Sequence, residues 1–289
     1  MMMRISLALL WLLRWLPQDA LNALAGVAAA PVRHTRVART ARINLRLCFP
    51  ELDERCRADL ERRYFKALVR SVLELGLVWF APAALIRRRV RLDGLEHYQD
   101  VGDAPKILLA MHAVGLEMAG ARIGMEGRGV GFFTPHKNPL LDRIIRVSRD
   151  RLGDVLMLDR REGLRPMVRA IRDGRHLYFL PDQDFGDRDS IFVPFFGIPA
   201  ATVTTLPRLV KLTGARVIPC EVWQRPGSEG YQVDFLPAWE DFPGPDLEAD
   251  VRRMNAFVEA YARAHPDQYF WGHKRFRTRP DPSEPSPYA

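Results

Sequence analysis

Apolar and polar positions change their rhythm along this chain of 289 residues. From residue 106 onward, short apolar runs of strand length alternate with longer segments of helical spacing, beginning with Ile107–Met111 and a helix over 114–124. Further strands are predicted at Val130–Thr134, Val155–Leu158, His176–Leu180, Ala215–Trp223 and Tyr231–Leu236, and further helices at Pro139–Arg151, Gly163–Asp173, Ala200–Thr213 and Asp246–Ala264. Alternating strands and helices indicate parallel strands that are buried on both faces. We therefore predict an α/β fold with a mainly parallel central sheet flanked by helices.

Residues 31–80 instead show the apolar spacing that is typical of helices. Pro50 interrupts it, Asp53 and Glu54 open a second amphipathic helix, and Pro82 ends that helix. A short strand is predicted over 88–95. From Pro280 the chain is rich in proline and predicted to be disordered, so the main domain covers 31–280 and a tail covers 281–289.

The first 30 residues are mostly apolar, but they hold no clean run long enough for a spanning helix. Arg14, Pro17 and Asp19 interrupt the run, and about 20 apolar residues are needed to cross a bilayer. An interfacial helix or shallow anchor over 1–30 is favoured, with Trp11 and Trp15 at headgroup depth. A signal peptide and a buried core helix remain alternatives.

The formal charge of +8 favours anionic partners, such as acidic lipid surfaces, phosphorylated substrates or nucleic acid. Nucleic acid is disfavoured because the sequence holds no RNP, helix-turn-helix or finger signature. Cys48, Cys56 and Cys220 match no metal spacing, and we interpret them as reduced, which predicts a cytoplasmic environment.

Polar side chains directly follow the predicted strands, where parallel strands share one edge of the sheet. They are His112 and Glu117 after the first strand, His136, Lys137 and Asn138 after the second, Asp159, Arg160 and Arg161 after the third, and Asp182 and Asp184 after the fourth. A histidine with a carboxylate one helical turn away can form a general base with its orienting partner, although such a pair is more often a surface or core feature. The sequence lacks a glycine-rich phosphate loop and a GxSxG elbow, which argues against nucleotide-binding enzymes and serine hydrolases.

An ordered set of motifs gives the chain a family resemblance. The motifs are His112-x4-Glu117, Lys137-Asn-Pro-Leu-Leu-Asp142, Arg149-Asp-Arg151, Leu158-Asp-Arg160, Pro181-Asp-Gln-Asp-Phe-Gly186, Phe192-Val-Pro-Phe-Phe-Gly197, Ala200-Ala-Thr202 and Val217-Ile-Pro219, with Asn44–Glu51 upstream and Tyr269–Pro280 near the end. With them the chain resembles the lipid A biosynthesis acyltransferases, the late lauroyl/myristoyl branch of the lysophospholipid acyltransferase superfamily. The resemblance covers nearly the whole chain and implies a glycerolipid-acyltransferase-like fold, with the acyltransferase domain over 31–280.

The resemblance implies an O-acyltransferase that moves a fatty acyl chain from acyl-acyl carrier protein to a hydroxyl of a lipid A precursor. His112 would remove the hydroxyl proton as general base, and Glu117 would hydrogen-bond the other ring nitrogen. Attack would be direct, without an acyl-enzyme, and needs neither a cofactor nor a metal ion.

Lipid A precursors carry phosphates, which arginine binds in bidentate geometry. The predicted acceptor-binding arginines are Arg149, Arg151, Arg160 and Arg161, with a solvated charged face as the alternative. Asn138 is expected to order its loop or the acceptor. Asp182 and Asp184 are expected to bind sugar hydroxyls or to organise an arginine, with a turn-capping pair as the alternative.

Two questions of function stay open at this point. The core motifs do not name the acceptor, so another lipid or a carrier-bound acceptor is the alternative. A non-catalytic lipid- or carrier-binding protein is a further alternative, against which the intact His112–Glu117 pair argues. The expected location is the cytoplasmic face of the cell inner membrane.

Overall fold

The structure is a computed structural model that describes residues 2–133 and 138–289, without the side chains of Met2, Asp150 and Arg160. His136 and Lys137, which were predicted to follow the second strand, lie outside the described residues.

Helices dominate the first third of the chain, and strands alternate with helices afterwards. The helices are α1 (Met2–Leu13), α2 (Gln18–Val32), α3 (Arg36–Cys48), α4 (Glu54–Leu73), α5 (Leu75–Phe80), α6 (Ala83–Arg89), α7 (Leu95–Gln99), α8 (Leu116–Ile123), α9 (Pro139–Leu152), α10 (Leu164–Arg172), α11 (Thr205–Thr213) and α12 (Leu247–Ala264). The strands are β1 (Val90–Asp93), β2 (Lys106–Leu109), β3 (Gly129–Phe133), β4 (Val155–Asp159), β5 (His176–Phe179), β6 (Ser190–Phe195), β7 (Ile198–Val203), β8 (Arg216–Gln224) and β9 (Tyr231–Phe235). Side chains of Thr35, Asp53, Asn138 and Asp246 cap four of the helices.

Seven strands form the central sheet in the order β1-β9-β8-β2-β5-β3-β4. All neighbours run parallel except β8 and β9, which are antiparallel. Strand β2 lies at the centre, where Ile107 pairs with Leu177 of β5 on one side and Val217 of β8 on the other. The prediction of an α/β fold with a mainly parallel sheet flanked by helices is confirmed.

Both faces of the central strand are buried, which explains its unbroken apolar run. Ile107 and Leu109 belong to one core cluster, while Leu108 belongs to the cluster on the opposite face. Successive side chains of a strand point to opposite faces, so covering the sheet with helices on both sides requires apolar residues at every position.

The structure differs from the sequence-based prediction in three elements. The helix expected over Ala200–Thr213 begins only at Thr205, because Ile198–Val203 pairs antiparallel with Ser190–Phe195 as a hairpin. The single helix expected after Asp53 is divided at Glu74 into α4 and α5. The tail expected to be disordered packs on the domain, because the buried Tyr288 donates its hydroxyl hydrogen to Asn44 Oδ1.

The N-terminal helices lie against the domain but keep an apolar face exposed. Gly76 in α5 allows close approach of α1, because a Cβ there would lie 2.0 Å from the Leu10 carbonyl oxygen. Exposed apolar side chains of α1, α2 and the turn between them are Ile5, Leu9, Trp11, Leu12, Trp15, Leu16, Leu24 and Val27. Within the described residues, none of the helices combines the length and the apolar character needed to span a bilayer.

Candidate active site

His112 lies at the carboxyl edge of the parallel sheet, three residues beyond the end of β2. Backbone hydrogen bonds hold the segment that follows β2 on two sides. The Ala110 amide donates to the Phe179 carbonyl oxygen at 2.9 Å, and the Phe270 amide donates to the His112 carbonyl oxygen at 2.8 Å. The exit of β2 is thereby fixed between the end of β5 and a segment that follows the last helix.

Asp182, from the loop after β5, binds both the backbone and the ring of His112. Its Oδ2 accepts the His112 backbone N–H at 2.9 Å, and its Oδ1 lies 2.7 Å from the ring Nδ1. The carboxylate is buried. Burial by itself raises the pKa of Asp182, but the charge of His112 and its hydrogen bonds outweigh burial and hold that pKa well below its usual range. This ionised carboxylate fixes the proton of the neutral imidazole on Nδ1 and leaves Nε2 as the basic nitrogen.

The partner expected for His112 from the sequence, Glu117, instead approaches an arginine. Glu117 lies in the first turn of α8, half exposed, with Oε1 3.6 Å from Nη2 of Arg149. The sequence-based assignment of Glu117 to the ring is therefore corrected to Asp182. Sequence proximity favoured Glu117, whereas the pairing of β5 with β2 brings Asp182 to the histidine.

Two side chains that the sequence analysis left without a role complete the surroundings of the ring. Nε2 of Gln183 lies 3.0 Å from Nε2 of His112 and 3.2 Å from Nε2 of His273. The two imidazole rings meet edge to face, with centroids 4.6 Å apart. Gln183 and His273 both lie inside motifs of the family resemblance, and that was the only signal available in the sequence.

An apolar cavity of about 250 Å³ opens at His112. It extends to His176, at the amino end of β5, so it follows the direction of the strands beneath α8 and α9. Apolar lining side chains include Leu116, Val130, Phe132, Leu152, Met157 and Tyr178. A second cavity of about 240 Å³, on the side of α4 and α5, shares Val78, His112, Leu116 and Glu117 with the first. His112 therefore lines both cavities.

The predicted acceptor-binding arginines fall into different environments. Arg149 lines the larger cavity and approaches Glu117. Arg151 donates to the carbonyl oxygens of Ala81 and Val78 at 2.5 and 3.0 Å, which ties α9 to the end of α5. Its part in acceptor binding stays a prediction. Arg161 is exposed and paired with Asp159. The side chain of Arg160 lies outside the described residues.

The remaining predicted binding residues have protein partners. Asn138 Oδ1 accepts the backbone N–H groups of Leu140 and Leu141 and so caps α9. Asp184 is buried; it accepts the Gly186 N–H at 2.9 Å and the Thr278 N–H and hydroxyl hydrogens at 2.7 and 2.8 Å. Its carboxylate thus caps a turn, as the alternative expectation for this residue has it, and lies 3.6 Å from Nη2 of Arg277. In the structure the contacts of Asp182 and Asp184 are with protein groups, and their binding of sugar hydroxyls stays a prediction.

Metal binding can be examined for the described ranges only. Across 2–133 and 138–289, the His, Cys, Asp and Glu side chains form no group of three or more that could hold a metal ion. The chemistry available at this site is that of a buried carboxylate, an imidazole and an amide.

Several known proteins resemble this chain. The family model described as bacterial lipid A biosynthesis acyltransferase matches residues 1–278. The lipid A biosynthesis lauroyltransferase of Escherichia coli (strain K12) is 34% identical over 282 residues, covering 96% of this chain and 92% of that protein. The palmitoleoyltransferase of the same organism is 30% identical, covering 95% and 90%. The crystal structure of a 1-acyl-sn-glycerophosphate acyltransferase from Thermotoga maritima aligns with 86% of this chain and 95% of its own, at 15% identity and a TM-score of 0.40.

Proposed function

Because this chain belongs to the bacterial lipid A biosynthesis acyltransferase family, we propose that it transfers a fatty acyl chain from acyl-acyl carrier protein to a hydroxyl of a lipid A precursor, with His112 as general base and Asp182 as its orienting carboxylate. The observation that carries the proposal is the His112–Asp182 pair at the mouth of an apolar cavity. A thioester with a long alkyl chain and a hydroxyl acceptor are the reactants that this combination suits.

The residues account for the chemistry of direct transfer. A hydroxyl is a poor nucleophile at neutral pH, so Nε2 of His112 takes its proton as the oxygen attacks the thioester carbon. General-base assistance of this kind contributes on the order of 10²–10⁴-fold. The buried Asp182 carboxylate stabilises the imidazolium that forms. When the carbon–sulfur bond breaks, the leaving thiolate takes the proton back from Nε2, which restores the base.

The larger cavity supplies the acyl-chain site in this proposal. Its walls are apolar, and β5 alone contributes roughly 13 Å of length at the usual rise per strand residue. An alkyl chain inserted from His112 toward His176 would leave water, at a gain of about 0.8 kcal/mol per buried methylene. Its carbonyl carbon would then remain at the mouth, beside the base.

For the acceptor, we assign Arg149 as the cation that meets a phosphate. It lines the cavity that holds His112, and its planar guanidinium can bind two phosphate oxygens at once. Its partner Glu117 is half exposed and can be displaced by a stronger anion. Arg160 and Arg161 remain predicted contributors.

Membrane attachment is a separate part of the proposal. The exposed apolar side chains of α1 and α2 include Trp15, at 70% exposure, and Val27, at 76%. Arg14 lies between the indoles of Trp11 and Trp15, 4.8 and 4.7 Å from their centroids. Helices with apolar residues and tryptophans on an open face lie in the headgroup region. We place this face on the cytoplasmic leaflet of the inner membrane, where anionic lipids attract the basic chain.

The reaction is tested with detergent-purified protein, acyl-acyl carrier protein and a lipid A precursor, with products followed by mass spectrometry. We expect acylated precursor from the wild type and from His34→Ala, an exposed histidine far from the site in sequence, and none from His112→Ala. If the wild type acylates only a different lipid or a carrier-bound acceptor, the lipid A precursor is excluded as acceptor and the alternative function is supported. Turnover by folded His112→Ala would overturn the mechanism.

Membrane attachment is tested by flotation with vesicles of phosphatidylethanolamine and phosphatidylglycerol. Substituting both Trp15 and Val27 by Ser should reduce the bound fraction. Leu212→Ser is the matched control, because Leu212 is equally apolar and half exposed but lies on α11. Equal flotation of the wild type and both variants would exclude the apolar face of α1 and α2 as the membrane-binding surface.

A further inference from the structure

The ring nitrogen of His112 that must accept the proton already has a protein partner. Nε2 of Gln183 lies 3.0 Å from Nε2 of His112 and 3.2 Å from Nε2 of His273. An amide nitrogen carries two hydrogens and no accessible lone pair, so both ring nitrogens accept. For His112 this agrees with Asp182, whose carboxylate accepts the hydrogen bond from Nδ1–H. The amide therefore stands where an acceptor hydroxyl would have to bind.

His273 is suited to hold that amide in place. Burial, the neighbouring charge of His112 and that of Arg275 lower the pKa of His273 to about 4, although Asp182 acts in the opposite direction. The ring therefore stays neutral near pH 7 and keeps a lone pair for Gln183. Phe270 contacts it edge to face, with centroids 4.6 Å apart.

The backbone around His273 is fixed from a distant part of the chain. Nδ2 of Asn44 donates to the carbonyl oxygens of Trp271 and His273, at 2.8 and 2.6 Å. Asn44 is itself held by the Tyr288 hydroxyl. Asn44, Trp271 and Tyr288 are all buried, so the loop that carries His273 has the support expected for a precisely positioned side chain.

We propose that Gln183 is a catalytic hydrogen-bond donor and that His273 is the positioning residue that anchors it. The amide occupies the position on Nε2 of His112 that the acceptor hydroxyl must take. When the acceptor hydroxyl displaces it, the hydrogen bond to His273 retains the amide, and the released N–H donates to the thioester oxygen. This inference rests on the proposed acyl transfer and names the group that stabilises its intermediate.

The step balances without an added reagent. The hydroxyl oxygen bonds to the carbonyl carbon, its proton moves to Nε2 of His112, and the carbonyl π electrons move onto the oxygen that Gln183 contacts. On collapse, that electron pair re-forms the carbonyl and the carbon–sulfur bond breaks. The sulfur leaves with the bonding pair and takes the proton from His112. Donors aimed at a developing oxyanion typically contribute 10²–10³-fold to kcat.

The test compares kcat and KM for three variants under the conditions of the acyl-transfer assay. Gln183→Met keeps the length of the side chain and removes both donors, and we expect kcat to fall about 100-fold or more, with both KM values little changed. His273→Phe keeps the ring contacts but removes the acceptor, and should lower kcat less. The double variant should fall no further than Gln183→Met, because His273 acts only through the amide.

Gln99→Met is the matched control, since Gln99 is exposed at the end of α7, and it should retain wild-type kcat. Circular dichroism and thermal unfolding establish that each variant is folded. Wild-type kcat in folded Gln183→Met, or losses that multiply in the double variant, would overturn the inference. A wild type that transfers no acyl group would instead refute the proposed function, so the two failures are distinguishable.

Discussion

One carboxylate, that of Asp182, binds both the backbone N–H and the ring Nδ1 of His112, each through a different oxygen. The backbone contact fixes where the residue stands, and the ring contact fixes how the imidazole is turned and which nitrogen carries the proton. Because the carboxylate is buried, it does not alternate between these partners and water. The imidazole of His112 is thus positioned and oriented by the same group.

Asp182→Asn should therefore damage catalysis more than its small change of size suggests. An amide has only one acceptor oxygen, so either the backbone N–H or Nδ1 loses its partner. We expect kcat to fall on the order of 10³–10⁴-fold, as when a histidine base loses its orienting carboxylate. Steady-state kinetics of the folded variant check this. A kcat within a few-fold of wild type would exclude Asp182 as the orienting group.

Glu117→Gln distinguishes the two possible partners of His112. In the structure Glu117 approaches Arg149, so neutralising it should leave kcat within about tenfold of wild type and mainly change the KM for the acceptor. The informative comparison is with Asp182→Asn in the same assay. An inactive Glu117→Gln beside an active Asp182→Asn would restore Glu117 as the orienting residue.

Gly131→Leu tests the proposal that the larger cavity holds the acyl chain. Gly131 lines the cavity, and a Cβ at this position would meet Met157 only at ordinary contact distances of 3.7 and 3.8 Å. A leucine side chain can therefore enter the space without displacing backbone. We expect the preferred acyl chain to shorten in a competition among acyl-acyl carrier proteins of different lengths.

The control for this substitution is Gly26→Leu in α2, where a Cβ would meet no atom within 4 Å and the cavity is untouched. It should keep the wild-type chain-length profile. An unchanged profile in folded, active Gly131→Leu would show that the acyl chain lies elsewhere.

His176 should make the protein less stable as pH falls. Burial, with smaller effects from Lys106 and Arg175, lowers its pKa from 6.5 to about 4. As pH falls, His176 therefore binds a proton in the unfolded chain at a higher pH than in the folded protein. Its contribution to the free energy of unfolding is fully present above about pH 6.5 and is lost as pH falls toward 4. The decline amounts to about 3 kcal/mol at most for this one group.

Urea unfolding of the wild type and of His176→Gln at pH 7.5, 6, 5 and 4 measures this decline. The variant should be less stable at pH 7.5, because it disturbs the contact with the Tyr98 hydroxyl at 3.0 Å, but its stability should fall less on acidification. His34→Gln, at an exposed position, should follow the wild-type curve. Parallel curves for all three proteins would contradict the prediction.

Much of the sheet could be predicted because its strands are buried on both faces. Ile107–Met111 has no polar residue, and polar side chains begin where the strand leaves the core. The β6–β7 hairpin was missed because Ala200–Val203 has no helical or strand period of its own. The pairing of this segment with β6 determines its conformation, and such pairing depends on the tertiary structure.

The position of His112 could be predicted, but its partners could not. Glu117 was favoured because it is near in sequence, whereas Asp182 reaches the ring because β5 lies beside β2. Gln183 and His273 are 90 residues apart, and only the return of the chain after α12 brings them together. Local sequence patterns carry no information about contacts of this kind, because the contacts depend on the order of the strands in the sheet.

The order in which the chain is synthesised gives the anchor of Gln183 a further consequence. A growing polypeptide that has been synthesised through β8 contains His112 and Asp182, yet it lacks both His273 and Tyr288, the tyrosine that secures Asn44. Such a nascent chain contains His112 but lacks His273, the residue that holds Gln183. Full competence would then arise only after the segment beyond α12 has left the ribosome and packed against the end of β2, so a truncated translation product would lack both the anchor of Gln183 and the Phe270 amide that holds the His112 carbonyl.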